Sequence, residues 1–278
     1  MNFGIYTNSA KDPGLKATRK VIAALENREI TPCFDEDTAK ALALDEYKNA
    51  DDADVLFVLG GDGTILRAAQ KYVHANILLV GINIGHLGFM SEISTEDIDA
   101  LLERALNGDY TVDERMMLTA EFTPSSDPLL ALNDLVINHQ NPAKMVQLEL
   151  YVNGVLAEHY FGDGLIIATP TGSTAYALSA GGPIVAPNVN CILVTPICPH
   201  SLYGRSIITR PTDEIIVKSV TENASISVTA DGRQVCRLDS GEYIKIRQSE
   251  VQTRFLRIKP DNFFPLLQQK LMQWNKIH

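Results

Sequence analysis

Cysteine is scarce in this chain. Four cysteines, Cys33, Cys191, Cys198 and Cys236, stand among 278 residues, none of them in a C-x-x-C pair. No His/Cys group has zinc spacing, so neither a structural metal nor a disulfide framework is the expected basis of the fold. Positive charge is also short: 24 Lys and Arg face 34 Asp and Glu, a net charge of −10. A general DNA or RNA binder needs a basic field to neutralise phosphates, and that class is disfavoured. Small phosphorylated ligands stay open, because backbone N–H groups and a metal ion supply positive charge locally. Apolar runs are short, and none approaches the roughly 18 residues of a membrane span. The first residues, "MNFGIYTNSAKDPG", lack a basic stretch followed by a long apolar one, so no secretory signal is expected. Repeats, low-complexity tracts and long linkers are missing as well. The expected compartment is a reducing cytoplasm.

What is present divides into two textures. Over residues 1–112, apolar strand-like runs alternate with helical periodicity. "FGIYTN", "TPCF", "DVLFVLG" (54–60) and "ILLVGIN" (77–83) read as strands, the last two apolar throughout as buried parallel strands are. Leu15, Val21, Ile22 and Leu25 recur at helical spacing, "TILRAAQKYVHA" reads as a helix, and 95–110 opens on a capping Thr and ends near Gly. Alternation of this kind predicts an α/β domain with a parallel, Rossmann-like sheet. Over 113–255 the runs become short, β-branched and punctuated by turn residues, which predicts a β-rich, sandwich-like domain of antiparallel sheets. "YVNGVLAE" predicts a type I′ hairpin at Asn-Gly. The tail, 256–278, reads as helical and is expected to pack back on the first domain. The acidic stretch 35–54 reads as a solvated helix and loop.

"VLFVLGGDGTILRAAQ" (55–70) places three glycines and an aspartate where a buried strand meets a helix. Ligands bind outside the carboxyl ends of strands in open α/β sheets. Glycines let the backbone approach a ligand, and the N–H groups of Gly60, Gly61, Gly63 and Thr64 suit phosphate. Asp62 would repel phosphate in a plain anion cradle. It fits a general base for a hydroxyl that attacks phosphorus, or a residue that helps to place Mg²⁺. It equally fits a turn whose Asp caps the helix. The loop is neither a Walker A motif nor G-x-G-x-x-G.

A second constellation, "GDGLIIATPTGSTAYALSAGGP" (162–183), runs a strand into a cluster of small hydroxyl residues, with a short helix starting near Ala175. Such hydroxyls bond orphan N–H groups at a helix start or the hydroxyls of a ligand. Tyr176 offers a flat face and a polar tip. Taken alone, the stretch also fits a Ser/Thr-rich turn with a buried tyrosine.

Together, "LGGDGTIL" (59–66), "GINIGHLGFMSEI" (81–93), "LNDLVI" (132–137), "GDGLIIATPTGSTAYALSAGGPI" (162–184) and "TPICPHSL" (195–202) resemble the NAD kinase family over most of the chain, in a compact, bacterial-looking form. G-G-D-G is shared with lipid kinases of the diacylglycerol and sphingosine type and with phosphofructokinases; the T-P-T-G-S-T-A-Y block is the specific signal. The resemblance implies transfer of the ATP γ-phosphoryl group to the 2′-hydroxyl of the adenosine ribose of NAD, with Mg²⁺ carried by ATP. It implies a site completed by a neighbouring subunit, hence a homodimer or homotetramer. Residue by residue, it implies Asp62 as catalytic base with Gly63 beside it. Asn133, Asp134 and Asp163 become dinucleotide contacts, with Thr174, Ala175, Tyr176 and Ser179 as the lining of the NAD site. Phe89 becomes an apolar wall, and Lys144 a basic contact.

This chain departs from the family pattern in places. Phe161 stands two residues before Asp163 where relatives carry a basic residue. Arg233 follows Asp231-Gly232 where Gln is common, and Ser206 replaces a common Pro. His86 and His200 read as structural, Cys191 and Cys198 as core, while His74, His139 and His159 have no partner legible in sequence. Two rival readings are a lipid kinase using the same glycine loop and a non-catalytic dinucleotide sensor.

Overall fold

The computed structural model describes residues 1–85, 88–122, 128–141, 144–201, 204–221, 226–259 and 263–275. It divides into two compact units, one of Met1–Glu114 with Thr253–His278 and one of Arg115–Gln252.

The first unit alternates strand and helix: β1 (Phe3–Thr7), α1 (Lys16–Glu26), β2 (Cys33–Phe34), α2 (Glu36–Leu42), β3 (Lys48–Asn49), β4 (Val55–Gly60), α3 (Asp62–Lys71), β5 (Leu78–Asn83), β6 (Ser91–Ser94) and α4 (Ile98–Leu106). Its strands pair in parallel in the order β3-β2-β1-β4-β5, with β6 also parallel to β5. All six residues of β4 are buried because both sheet faces are covered. Val55, Phe57 and Leu59 join a cluster with Val21 and Leu25 of α1 and Leu101 and Leu102 of α4. Asp35, fully buried, caps α2 by accepting from Asp37 N–H and also takes the Lys71 ammonium and the Tyr72 hydroxyl. The acidic stretch is therefore anchored at its start and not simply solvated.

The chain leaves this unit in β7 (Thr111–Phe122). There follow β8 (Leu129–Ala131), β9 (Asp134–His139), β10 (Val146–Val152), β11 (Val155–Gly162), β12 (Gly164–Ala168), α5 (Tyr176–Ser179), β13 (Ile192–Ile197), β14 (Ile207–Thr209), β15 (Ile215–Ser219), β16 (Ile226–Ala230), β17 (Arg233–Leu238) and β18 (Tyr243–Arg257). The end of β18 returns to the first unit, where Arg254 and Phe255 pair in parallel with Leu78 and Leu79 of β5. Helix α6 (Phe263–Asn275) closes the described chain.

The second unit is antiparallel. One sheet runs β14-β13-β12-β9-β16-β17, and β11-β10-β15-β18 forms another ladder. Leu135, Ile137, Leu165, Ile167 and Val194 of the first ladder share a core with Leu148, Leu150, Val217, Ile244 and Ile246 of the second, the face-to-face packing of a sandwich. The β10–β11 turn is type I′, with Asn153 at φ 51° and Gly154 at φ 78°. The run "HYFGDGLIIAT" is split at Asp163 into β11 and β12, which belong to different ladders.

Candidate active site

Strands β1 and β4 lie side by side, Thr7 opposite Leu59. After β1 the sheet is extended by β2 and β3 on one side; after β4 it is extended by β5 on the other. The β1/β4 boundary is thus the topological switch point, and the crevice outside the carboxyl ends there is where open α/β sheets take ligands. Two loops meet at this edge, Asn8–Asp12 after β1 and Gly60–Thr64 after β4. Asn8 N–H donates to the Leu59 carbonyl at 3.1 Å, and Asn8 Nδ2 donates to Thr64 Oγ1 at 3.2 Å. Thr64 is buried and lies so close over Gly60 that a β-carbon on Gly60 would fall 2.4 Å from its hydroxyl. Gly63 is exposed and faces open space.

Asp62 occupies the first position of α3 and does not cap it; Gly61 is the N-cap residue. Its carboxylate turns away to accept from Phe89 N–H at 2.9 Å and Met90 N–H at 3.1 Å. Gly88 lies against it so tightly that a β-carbon there would sit 1.9 Å from Oδ1. Behind Met90, Arg257 donates to the Met90 carbonyl at 3.3 Å and pairs with Glu92 at 3.1 Å and Asp113 at 3.2 Å. The carboxylate is fixed by two amides, and the Met90 carbonyl is itself tied to a largely buried ion-pair network. The Phe89 ring lies 6.5 Å from Phe263 of α6, with the Lys270 ammonium 6.0 Å from its centre.

In the second unit, Asn133 and Asp134 stand at the start of β9, beside the end of β12, where Ala168 pairs with Asp134. Thr169 locks the two together: its N–H donates to the Asn133 carbonyl at 2.9 Å and its hydroxyl to the Leu132 carbonyl at 2.6 Å. Gly172 passes over Asn133 where a β-carbon would lie 2.1 Å from the Asn133 carbonyl oxygen. Ser173 Oγ bridges the Val185 N–H and carbonyl, and Thr174 Oγ1 donates to the Thr171 carbonyl at 3.3 Å. Much of the hydroxyl cluster therefore builds the loop itself, and it leaves Tyr176 and Ser179 exposed, with Thr174 and Ala175 partly so.

The turn Asp231–Gly232, with φ of 47° and 78°, closes the β16–β17 hairpin against the same residues. The Asp231 carboxylate accepts from Leu132, Asn133 and Asp134 N–H at 2.9, 2.8 and 3.2 Å. Among the described residues, the buried Asn133 Oδ1 has no hydrogen-bond partner, an acceptor that a ligand donor would satisfy. Burial, and after it the Asp231 charge, push the Asp134 carboxyl from 3.8 up to about 7.

Asp163 and Lys144 are not part of this cluster. Asp163 precedes β12, while Asn133 and Asp134 lie at its far end; five strand residues separate them, about 17 Å at about 3.4 Å each. Lys144 is exposed just before β10, whose Val146 pairs with Gly162 beside Asp163. Cys198 is exposed at φ 44° and not in the core; its bond to the Asp163 carboxylate pushes the thiol up. His200 donates its N–H to the Phe161 carbonyl at 2.8 Å, with the two rings 5.7 Å apart. His86 lies outside the described residues.

The N-terminal domain of ATP-NAD kinase matches residues 3–110 and its C-terminal domain residues 132–258. The NAD kinase of Thermoanaerobacter sp. (strain X514) is 41% identical, covering 97% of this chain and 98% of its own. That of Geobacter metallireducens is 39% identical over 92% of this chain and 93% of its own.

The chain belongs to the NAD kinase family.

It is accordingly a phosphotransferase. Among solved NAD kinase folds, yeast NADH kinase complexed with NADH aligns at a TM-score of 0.87 and 25% identity, covering 99% of this chain and 88% of that one. The NAD kinase from Archaeoglobus fulgidus in complex with ATP aligns at 0.79 and 29%, covering 98% and 99%. Against the family's motifs, sequence reasoning missed the supports: Asn8 and Asp12 beside the glycine loop, Arg257 and Glu92 behind Met90, and Asp231 behind Asn133. Only Asp231 carried a local signal, the Asp-Gly turn.

Proposed function

We propose that this chain transfers the γ-phosphoryl group of ATP to the 2′-hydroxyl of the adenosine ribose of NAD, giving NADP and ADP. The observation that carries the reading is the Asp62 carboxylate, hung from two backbone amides at the glycine loop of the switch point and free of any ion pair among the described residues. So held, it can accept the hydroxyl proton as the 2′-oxygen attacks the γ-phosphorus; the bond from phosphorus to the β,γ-bridging oxygen breaks, and that electron pair leaves with ADP. The N–H groups opening α3 favour the phosphates. Mg²⁺ enters as part of the ATP substrate and offsets its charge. It needs no protein cage, because this ion is usually held by phosphates, waters and one or two carboxylates. Asn133 and Asp134 present buried acceptors to the ribose hydroxyls, and Thr174, Ala175, Tyr176 and Ser179 line the dinucleotide. The ATP and NADH complexes of the neighbours support both substrates.

Asp163 and Lys144 act on a second copy of the chain. Their separation from the Asn133 cluster along β12 supports a dinucleotide site completed by a neighbouring subunit, in a homodimer or homotetramer.

The test is NADP formation by purified protein with ATP, Mg²⁺ and NAD. Enzymatic detection of NADP is expected. A folded protein that makes none, with NADH and inorganic polyphosphate also tried, would remove the reading and leave the binding-only sensor.

A further inference from the structure

We propose that Lys11, in the loop after β1, is the cation that holds the phosphate chain of the donor. The proposal rests on the kinase reading above and names a residue outside the family motifs seen in the sequence.

A chain of net charge −10 must find positive charge for a triphosphate locally. At the β1/β4 switch point Lys11 supplies it. A β-carbon built on Gly61 would lie 3.4 Å from the Lys11 ammonium, so the side chain lies along the glycine loop although it is exposed and free to extend into water. Among the described residues its ammonium has no ion pair, and it does not neutralise the adjacent Asp62.

The loop that carries it is anchored on both sides. Asn8 is tied to Leu59 and Thr64, and Lys11 N–H donates to the Asn8 carbonyl at 2.9 Å. On the other side the buried Asp12 carboxylate accepts from Ala17 N–H at 3.0 Å, Thr18 N–H at 2.9 Å and Thr18 Oγ1 at 2.7 Å. The backbone on which the ammonium is mounted is therefore preorganised.

A lysine is a compact point charge suited to phosphate. Two phosphate-bearing molecules enter the reaction, and the geometry favours the donor. In-line transfer puts the acceptor hydroxyl at the base and the leaving phosphates on the opposite side of the transferred group. Lys11 stands by Gly61, with Asp62 left unpaired for the hydroxyl.

The experiment compares wild type with Lys11→Met, Lys11→Gln and Lys11→Arg. Steady-state kinetics give kcat and KM for ATP and for NAD. Calorimetry gives Kd for tripolyphosphate and for NAD, and thermal unfolding gives Tm. Loss of a charge-assisted contact is expected to lower kcat/KM for ATP and to weaken tripolyphosphate by about 10- to 100-fold. Kd for NAD and Tm should not move, and Arg should restore most of the loss. An unchanged kcat/KM for ATP, an equal loss of NAD affinity, or loss of Tm without phosphate selectivity would overturn the assignment. Should wild type make no NADP, the kinase reading falls by itself, and the tripolyphosphate titrations still decide Lys11.

Discussion

At the residue scale, one carboxylate is held by two backbone amides and another is buried beside a like charge. Asp62 takes two amide donors and keeps lone pairs for a proton. Asp62→Asn preserves the shape and keeps one of the two bonds, because Phe89 and Met90 N–H donate to different oxygens and the amide has only one. NAD affinity by titration should persist, while kcat drops by about 10²- to 10⁴-fold, the usual contribution of a general base. Asp134 is the opposite case, buried next to Asp231. Its folded-state pKa of about 7 lies above its ordinary 3.8. The stability this raised pKa provides is fully present below pH 3.8, is lost as pH climbs between the two values, and is gone above about 7. Asp134→Asn should therefore raise Tm at pH 8 and have little effect at pH 4. A Tm difference independent of pH would show that Asp134 is not strained. Perturbed groups of this kind cluster at functional sites.

At the element scale, the glycines do the positioning. Gly172 lets the 171–174 turn lie on Asn133, and Gly88 lets the backbone close on Asp62. Gly172→Ala forces a β-carbon onto a carbonyl, so the turn must lift. Overpacking of this kind costs about 1–3 kcal/mol. The expected result is a lower Tm together with weaker NAD binding; normal binding would detach the turn from the site. Element types were legible because their periodicities differ: continuous apolar runs for parallel strands buried on both faces, short punctuated runs for the sandwich. The break at Asp163 was not legible. A strand that leaves one ladder for another keeps the same local pattern, and only the partners on either side reveal the change.

At the scale of the whole molecule, β12 separates two groups of candidate dinucleotide contacts. Asn133 and Asp134 lie beside one end of it and Asp163 precedes the other. If a second copy supplies Asp163, then Asp62→Asn and Asp163→Asn, each poorly active alone, should recover activity when unfolded and refolded together, because some mixed assemblies contain one intact site. Activity no higher than the mean of the two would place both residues in the same subunit's site or remove Asp163 from it. Light scattering on the mixture checks that assembly has occurred.

The sequence alone determined the family, the two fold textures and the glycine loop with its aspartate. These depend on local order: composition, periodicity and motifs contiguous in the chain. Tertiary structure decided which donors and charges each aspartate meets. Asp62 could have capped α3 until residues 27 and 28 positions away donated to it. Asp231 stood in an ordinary Asp-Gly turn until it met Asn133, 98 residues distant. Lys11 was one lysine in a polar loop until β1 and β4 became neighbours. A carboxylate or ammonium has no role by itself; its role is set by which donors, charges and solvent surround it, and the folded chain brings those from far along the sequence.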